Sequence, residues 1–388
     1  MFLLSAHSIA INHDAALTAR IAAVHASRHD AGLAPAGVRL VEASYAGARR
    51  SGAALSPEQK ERFAEIDSRL SALFVQFGHN VLATTAGWVL DLGAGDLAGL
   101  PSSQCDAAAA RAAAAGASGR FHVTFDRIDY ESLLSFSRRR DLREKLWRAF
   151  TERCDGGAHD NWPMIAEILA LRRERAVLLG YADHAHYALE DSMAHAPAAA
   201  LDLLQQLWEP GKRRAAEEAA ELQALIDAEP GDFTLAPWDW RFYAEQVRRS
   251  RYALDGAAVV HYLRLDAVQQ TAFDTAGRLY GLTFTHRADI AGYHLDVWAW
   301  EVRDEAAGPL GLLFTDYLAR PKKHGGAWVG SLRVQKAMDG AVLPVVYLVA
   351  NFAGAPPPDT GATRLSIDEA RTLFHEFGHR LLAAVSAI

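Results

Sequence analysis

The segment SIDEARTLFHEFGHRLLAAVSAI, residues 366–388, decides how the rest of the chain is read. Ser366 with Glu369 three residues later is a capping box, and Asp368 and Glu369 suit the positive end of a helix dipole, so a helix is predicted from Ile367. Along it His375, Glu376 and His379 spell H-E-x-x-H. At about 100° per residue the two histidines lie roughly 40° apart on one face. Glu376 falls on the flank of that face, where it can reach a water without being a ligand itself. Ala370, Leu373, Phe374, Phe377 and Leu381 form the stripe expected to pack into a core. The pattern therefore predicts His375 and His379 as zinc ligands and Glu376 as general base of a hydrolysis. Zinc would lower the pKa of its water towards about 7 and polarise a carbonyl, and the carboxylate would carry the proton to the leaving amine. Chance alone yields this spacing in on the order of one such chain in 20–30, so its setting on a capped, amphipathic helix matters. Gly378 inside that helix costs about 1 kcal/mol relative to alanine, which predicts a close approach by another segment.

The bulk of the chain is that of a packed protein. Of 388 residues, 50% are hydrophobic and 22% charged, which excludes a disordered chain. A net charge of −7 argues against nucleic acid or an anionic membrane as partner. Cys105 and Cys154 are too few for a disulfide framework and read as free thiols in a reducing compartment. The opening MFLLSAHSIAINHD lacks the basic region and cleavage site of a signal peptide, and no run of about 18 apolar residues occurs. A cytoplasmic protein is expected.

Working back from the motif, LTFTHR (282–287), YHLDVWAWEV (293–302), LGLLFTDYLAR (310–320) and LPVVYLVANF (343–352) are aromatic and β-branched and predict the strands of a small sheet. Before them lie long amphipathic segments. Ser56, Pro57 and Gln59 cap one whose Phe63, Ile66, Leu70, Leu73, Phe74, Phe77 and Val81 recur at helical spacing. Further helices are predicted near 13–30, 36–50, 103–115, 129–153, 161–178, 198–228, 238–252 and 264–280. The expected fold class is mainly α, an α-dominated α+β: a helical body, a small sheet, then the metal helix. The expected division is a helical region over 1–120 and a catalytic portion over 121–388.

F-H-E-F-G-H is more specific than H-E-x-x-H, and with it the chain resembles the M3 family of zinc metallopeptidases, most closely its bacterial peptidyl-dipeptidase (dipeptidyl carboxypeptidase) branch and then oligopeptidase A. The resemblance extends through residues 55–82, 143–154, 160–194, 236–255, 311–328 and 344–352, in the family's order. Arg371, four residues before His375, favours the peptidyl-dipeptidase branch over the thimet branch, where a glutamate is expected. The resemblance implies the HExxH helix of a zincin-type peptidase, Zn²⁺ as cofactor, short oligopeptides as substrates and release of C-terminal dipeptides. It also implies a third zinc ligand, a glutamate on the helix after the motif helix, and tyrosines and a histidine farther on that bind the scissile carbonyl. Leu348 stands where the family is expected to have a polar asparagine. Helix 367–388 carries no C-cap signal, so the chain reads as an M3 peptidase truncated at both ends, inactive or weak alone. The alternative is a non-catalytic binding or regulatory fragment, or half of a split enzyme whose C-terminal segment another chain supplies.

Other candidates are weaker. In zincin-type peptidases an extended substrate pairs with an exposed strand edge, which makes 345–352 the candidate and Tyr347, Val349 and Asn351 candidate substrate-binding residues. Trp238, Asp239, Trp240 and Tyr243 could line a channel or simply pack. The loop Pro321-Lys322-Lys323-His324-Gly325-Gly326-Ala327-Trp328 could border a cleft or turn between strands. His294 with Asp296 reads as locally satisfied, and Glu301 with Asp304 as a solvated strand end.

Overall fold

A computed structural model of the chain describes residues 2–230, 232–252, 259–320, 323, 325–336, 340–352 and 363–385. Helical spacing dominates the chain, and the architecture is accordingly an α-dominated α+β fold. The helices are α1 (Phe2–Asn12), α2 (Ala15–Ala26), α3 (Pro35–Arg50), α4 (Pro57–Gly87), α5 (Ser102–Ala114), α6 (Arg127–Phe136), α7 (Arg140–Thr151), α8 (Trp162–Leu178), α9 (His184–Leu189), α10 (Pro197–Asp227), α11 (Trp240–Tyr252), α12 (Leu265–Tyr280) and α13 (Ile367–Val385). The strands are β1 (Leu90–Leu92), β2 (Phe121–Val123), β3 (Leu282–His286), β4 (Val297–Asp304), β5 (Gly308–Leu318), β6 (Trp328–Arg333) and β7 (Val345–Phe352).

The single helix predicted over 129–153 is two helices. Ser137 is fully buried with extended ψ, and its Oγ accepts from the Arg139 amide at 3.3 Å, so its side chain replaces the helical bond and turns the chain. The apolar N-terminal stretch, not predicted as a helix, forms α1, which packs on α4.

Two compact units arise from interleaved stretches. One comprises Met1–Leu92, His122–Phe125 and Asp141–Pro237, the other Gly93–Phe121, Asp126–Arg140 and Trp238–Ile388. Residues 93–121 and 126–140 belong with the C-terminal stretch, where α6 packs on α11 and Arg140 pairs with the buried Asp239.

In the first unit, the Ser56–Gln59 capping box forms as predicted and starts α4. Its Phe63, Ile66, Leu70 and Leu73 are buried, and the last three form a core cluster with Ile168 of α8. Paired guanidinium–carboxylate bonds, Arg62 to Glu174 and Arg69 to Glu167, bridge the two helices along their exposed rim. Phe74 departs from the predicted stripe: one position beyond Leu73, about 100° around the helix, it is exposed beneath the Arg172 guanidinium, 5.2 Å from its ring centre.

In the second unit the sheet runs β3-β4-β5-β7-β6. β5 and β7 are parallel and every other neighbour pair is antiparallel. One face carries Val302, Leu313, Tyr317, Val346, Leu348, Ala350 and Phe352 into the main core, closed by Val268, Ala272, Phe273 and Ala276 of α12 and Leu373 and Phe377 of α13. The other face holds a smaller cluster of Val297, Ala299, Phe314, Val345 and Tyr347 beneath Ile290. β6 was not predicted. Gly330 interrupts its short run, and a Cβ there would meet the Tyr347 hydroxyl at 2.1 Å, so a larger residue would force that ring to move.

Candidate metal centre

α13 begins where the sequence places it. The Glu369 amide donates to Ser366 Oγ at 3.1 Å, and the Ser366 amide donates to Glu369 Oε2 at 2.8 Å. Replacing Ser366 with alanine is expected to cost about 1 kcal/mol and lower the Tm in a thermal melt. No measurable change would show that packing alone holds this helix start.

Leu373 and Phe377, one turn apart, are buried against Phe273 and the sheet. Phe374 is not part of that stripe as predicted; about 100° from Leu373, it is exposed. The Leu381 side chain, like Val385 and Ile388 at the expected cut end, lies outside what is described. Anchoring through Leu373 and Phe377 turns His375 and His379 to solvent, while Glu376 is half-buried at the flank. The two imidazoles converge. Their Nε2 atoms are 3.0 Å apart, with ring centres 4.6 Å apart and planes crossed at 89°. Two nitrogens at about 2.0–2.1 Å from a tetrahedral zinc lie roughly 3.3 Å apart, so the pair needs only a few tenths of an ångström to accept the ion. Among the described residues no third histidine, cysteine or carboxylate joins them. The close approach expected at Gly378 is absent: a Cβ there would meet no described atom within 4 Å. Arg371 is exposed and bonds Asp368 at 3.0 Å.

The sheet corrects the expectation for the substrate strand. β7 lies between β5 and β6, so it is not an edge; the outer strand on that side, among the described residues, is β6. Strand alternation also separates the candidates from α13. Leu348, fully buried, faces the motif helix, whereas Tyr347 lies in the cluster on the opposite face. By the same period-two alternation Val349, itself buried, and Asn351 take that opposite face. The Tyr347 ring covers Gly330 of β6, and Asn351 Nδ2 donates to the Gly326 carbonyl at 2.7 Å, just before β6.

Asp239 is fully buried and accepts three bonds of 2.9–3.1 Å from the Arg140 guanidinium, which also lies over the Trp238 ring. With Tyr243 buried alongside, this cluster packs. His294 Nδ1 meets Asp296 at 3.3 Å, as local satisfaction predicts, while Asp304, expected as a solvated strand end, accepts from the Ala306 and Ala307 amides in the turn after β4. Of the 321–328 loop, Pro321, Lys322 and His324 lie outside the described residues. Gly326 has φ +96°, a conformation glycine alone adopts freely. Both cysteines are unbridged.

One cluster escaped the sequence reading. Asp316, 1% exposed, accepts two bonds of 2.6 and 2.7 Å from Arg320, one of 2.8 Å from Lys323 and one of 2.9 Å from the Tyr293 hydroxyl. Burial alone would push its carboxyl up; the bonds from Arg320 and Lys323 outweigh burial and hold it below the ordinary aspartate range. Lys323 goes the other way. Its burial outweighs Asp316 and lowers the ammonium, whereas the bond to Asp316 raises the Arg320 guanidinium. The available signal was the charge at 316, 320 and 323 inside a run otherwise typical of a strand.

Residues 133–387 match the family described as Peptidase family M3. The chain is 38% identical over 384 residues to dipeptidyl carboxypeptidase of Salmonella typhimurium, covering 97% of this chain and 56% of that protein. It is 35% identical over 369 residues to dipeptidyl carboxypeptidase of Escherichia coli, covering 94% and 54%, and 36% identical over 341 residues to oligopeptidase A of Salmonella typhimurium, covering 85% and 49%. The chain thus spans about half the length of the curated relatives it matches. A capped helix presenting converging imidazoles, set within a match of this extent, makes the chain a member of peptidase family M3, a metallopeptidase by lineage.

Proposed function

We propose that this chain carries the zinc-binding helix and peptide-pairing sheet of a peptidyl-dipeptidase acting on short oligopeptides. His375 and His379 are the ligands and Glu376 the general base. The observation that carries the reading is the 3.0 Å approach of the two Nε2 atoms on an exposed face. Bound there, zinc supplies Lewis acidity, bringing water's ionisation towards neutral pH and polarising a peptide carbonyl. The chain's own residues do the rest. Glu376, on the flank, takes the proton of the attacking water and delivers it to the departing amine. The sheet order offers β6 for antiparallel pairing with an extended peptide, whose backbone is then read without regard to sequence. Tyr347 and Asn351 support β6 through Gly330 and Gly326, and Val349 packs. Release of C-terminal dipeptides is the activity most consistent with the dipeptidyl carboxypeptidase relatives.

A second reading, half of a split peptidase or a non-catalytic remnant, is favoured by one observation. No third ligand joins the pair among the described residues. Zinc titration calorimetry of the wild type and a His375→Ala/His379→Ala variant tests the site itself. Each lost imidazole is expected to weaken zinc by at least about ten-fold. Equal affinity of the wild type and the double variant would remove these histidines from the site. Dipeptide release with and without the stretch of the relatives outside the match separates the two readings.

A further inference from the structure

α10 is 31 residues long, yet only Leu222 and Ile226, near its C-terminal end, are buried. Residues 201–217 are exposed throughout. Within them Leu201, Leu204, Leu207 and Trp208 stand at 57, 60, 63 and 64% exposure. At about 100° per residue these four fall within an arc of roughly 120°. Asp202, Gln206, Glu209 and Arg213 occupy the opposite flank. This is an amphipathic face of the kind that packs on a neighbour, and it lies in a stretch exposed throughout. Helices in water draw most of their stability from such packing, so a leucine stripe projecting into solvent implies an occupant.

We propose that the Leu201–Trp208 stripe docks a helix from the part of the M3 fold that the relatives carry beyond the matched stretch, in the same polypeptide or a separate one. The inference rests on the family membership and not on the zinc reading. Two observations select this occupant. The 384-residue match accounts for 56% of the Salmonella dipeptidyl carboxypeptidase, so the family fold has a further share nearly as long that must pack somewhere. The three- and four-residue spacing of the stripe suits the ridges of a second helix. A second copy of α10 fits less well, because the charges beside the stripe are already paired within the helix. Lys212 bonds Glu209, and Arg214 bonds Glu217 and Glu218.

The test is to co-express the full 388-residue chain with the stretch of the Salmonella relative outside the match, purify through a tag on the chain, and follow amide hydrogen exchange along α10. The added polypeptide is expected to co-purify and to slow exchange in residues 201–217 by at least about ten-fold. Leu204→Glu/Leu207→Glu is expected to leave the circular dichroism of the chain unchanged and to lower the co-purified amount by at least about ten-fold. Absence of co-purification overturns the proposal, as does co-purification without slower exchange in 201–217. A dimer of the chain alone that Leu204→Glu/Leu207→Glu dissociates would also overturn it, in favour of a second copy as occupant.

Discussion

Replacing Asp316 with alanine is expected to destabilise the protein by about 3–5 kcal/mol, as removing one partner of a buried charge pair does. The carboxylate is 1% exposed and is met by Arg320, Lys323 and the Tyr293 hydroxyl. Removing it strands the ammonium of Lys323, whose side chain is 6% exposed, beside a guanidinium of the same sign. Lys323 retains the Leu318 and Asp316 carbonyls as acceptors at 2.8 and 3.1 Å, which satisfy its hydrogens but not its charge. The same cluster gives a signed dependence on pH. The folded carboxyl sits below its unfolded value, so its contribution is fully present above about pH 4 and is lost as pH falls through the folded pKa. Lys323 is lowered as well, so the folded state is penalised while it is charged and relieved as pH rises through its folded pKa. Urea unfolding of the wild type and Asp316→Ala at neutral pH, repeated below pH 4, reads both effects. The gap between the proteins should shrink in acid. A neutral-pH difference under about 1 kcal/mol would show that the cluster does not hold the β5–β6 connection.

Periodic elements were legible from the sequence because their cause is local. Capping boxes at Ser56 and Ser366 form as predicted, and the strands around 282–287, 293–302, 310–320 and 343–352 appear as β3, β4, β5 and β7. What failed was set by neighbours distant in sequence. Whether β7 is an edge depends on β6, for which no strand was predicted because Gly330 breaks the run, and that glycine leaves room for Tyr347 of the next strand. Phe74 and Phe374 match the apolar pattern of their helices but fall one position past the buried ridge. Spacing alone does not say how wide that ridge is. The interleaved units were likewise invisible, since the partnership of α6 with α11 joins residues about a hundred positions apart. That His375 and His379 face each other was legible, because a single helical turn fixes it.

That local character makes the division of labour on α13 testable. In a preparation that cleaves peptides, Glu376→Gln is expected to lower kcat/KM by about 10²–10⁴-fold with zinc content unchanged. His375→Ala or His379→Ala is expected to remove zinc and activity together. The contrast follows from position. The imidazoles converge on one point at the exposed crest, and losing either leaves one nitrogen where the helix alone offered two. Glu376, about 100° from His375, is half-buried and contributes nothing to that point, so an isosteric amide leaves the ligand geometry in place. The amide cannot accept the proton of the attacking water, which is the one task the carboxylate is assigned. Metal analysis beside steady-state kinetics on the three variants distinguishes the roles. If Glu376→Gln turned over at the wild-type rate, the base would lie elsewhere. If it shed zinc as the histidine variants do, Glu376 would be acting as a ligand and the proton transfer would fall to another group.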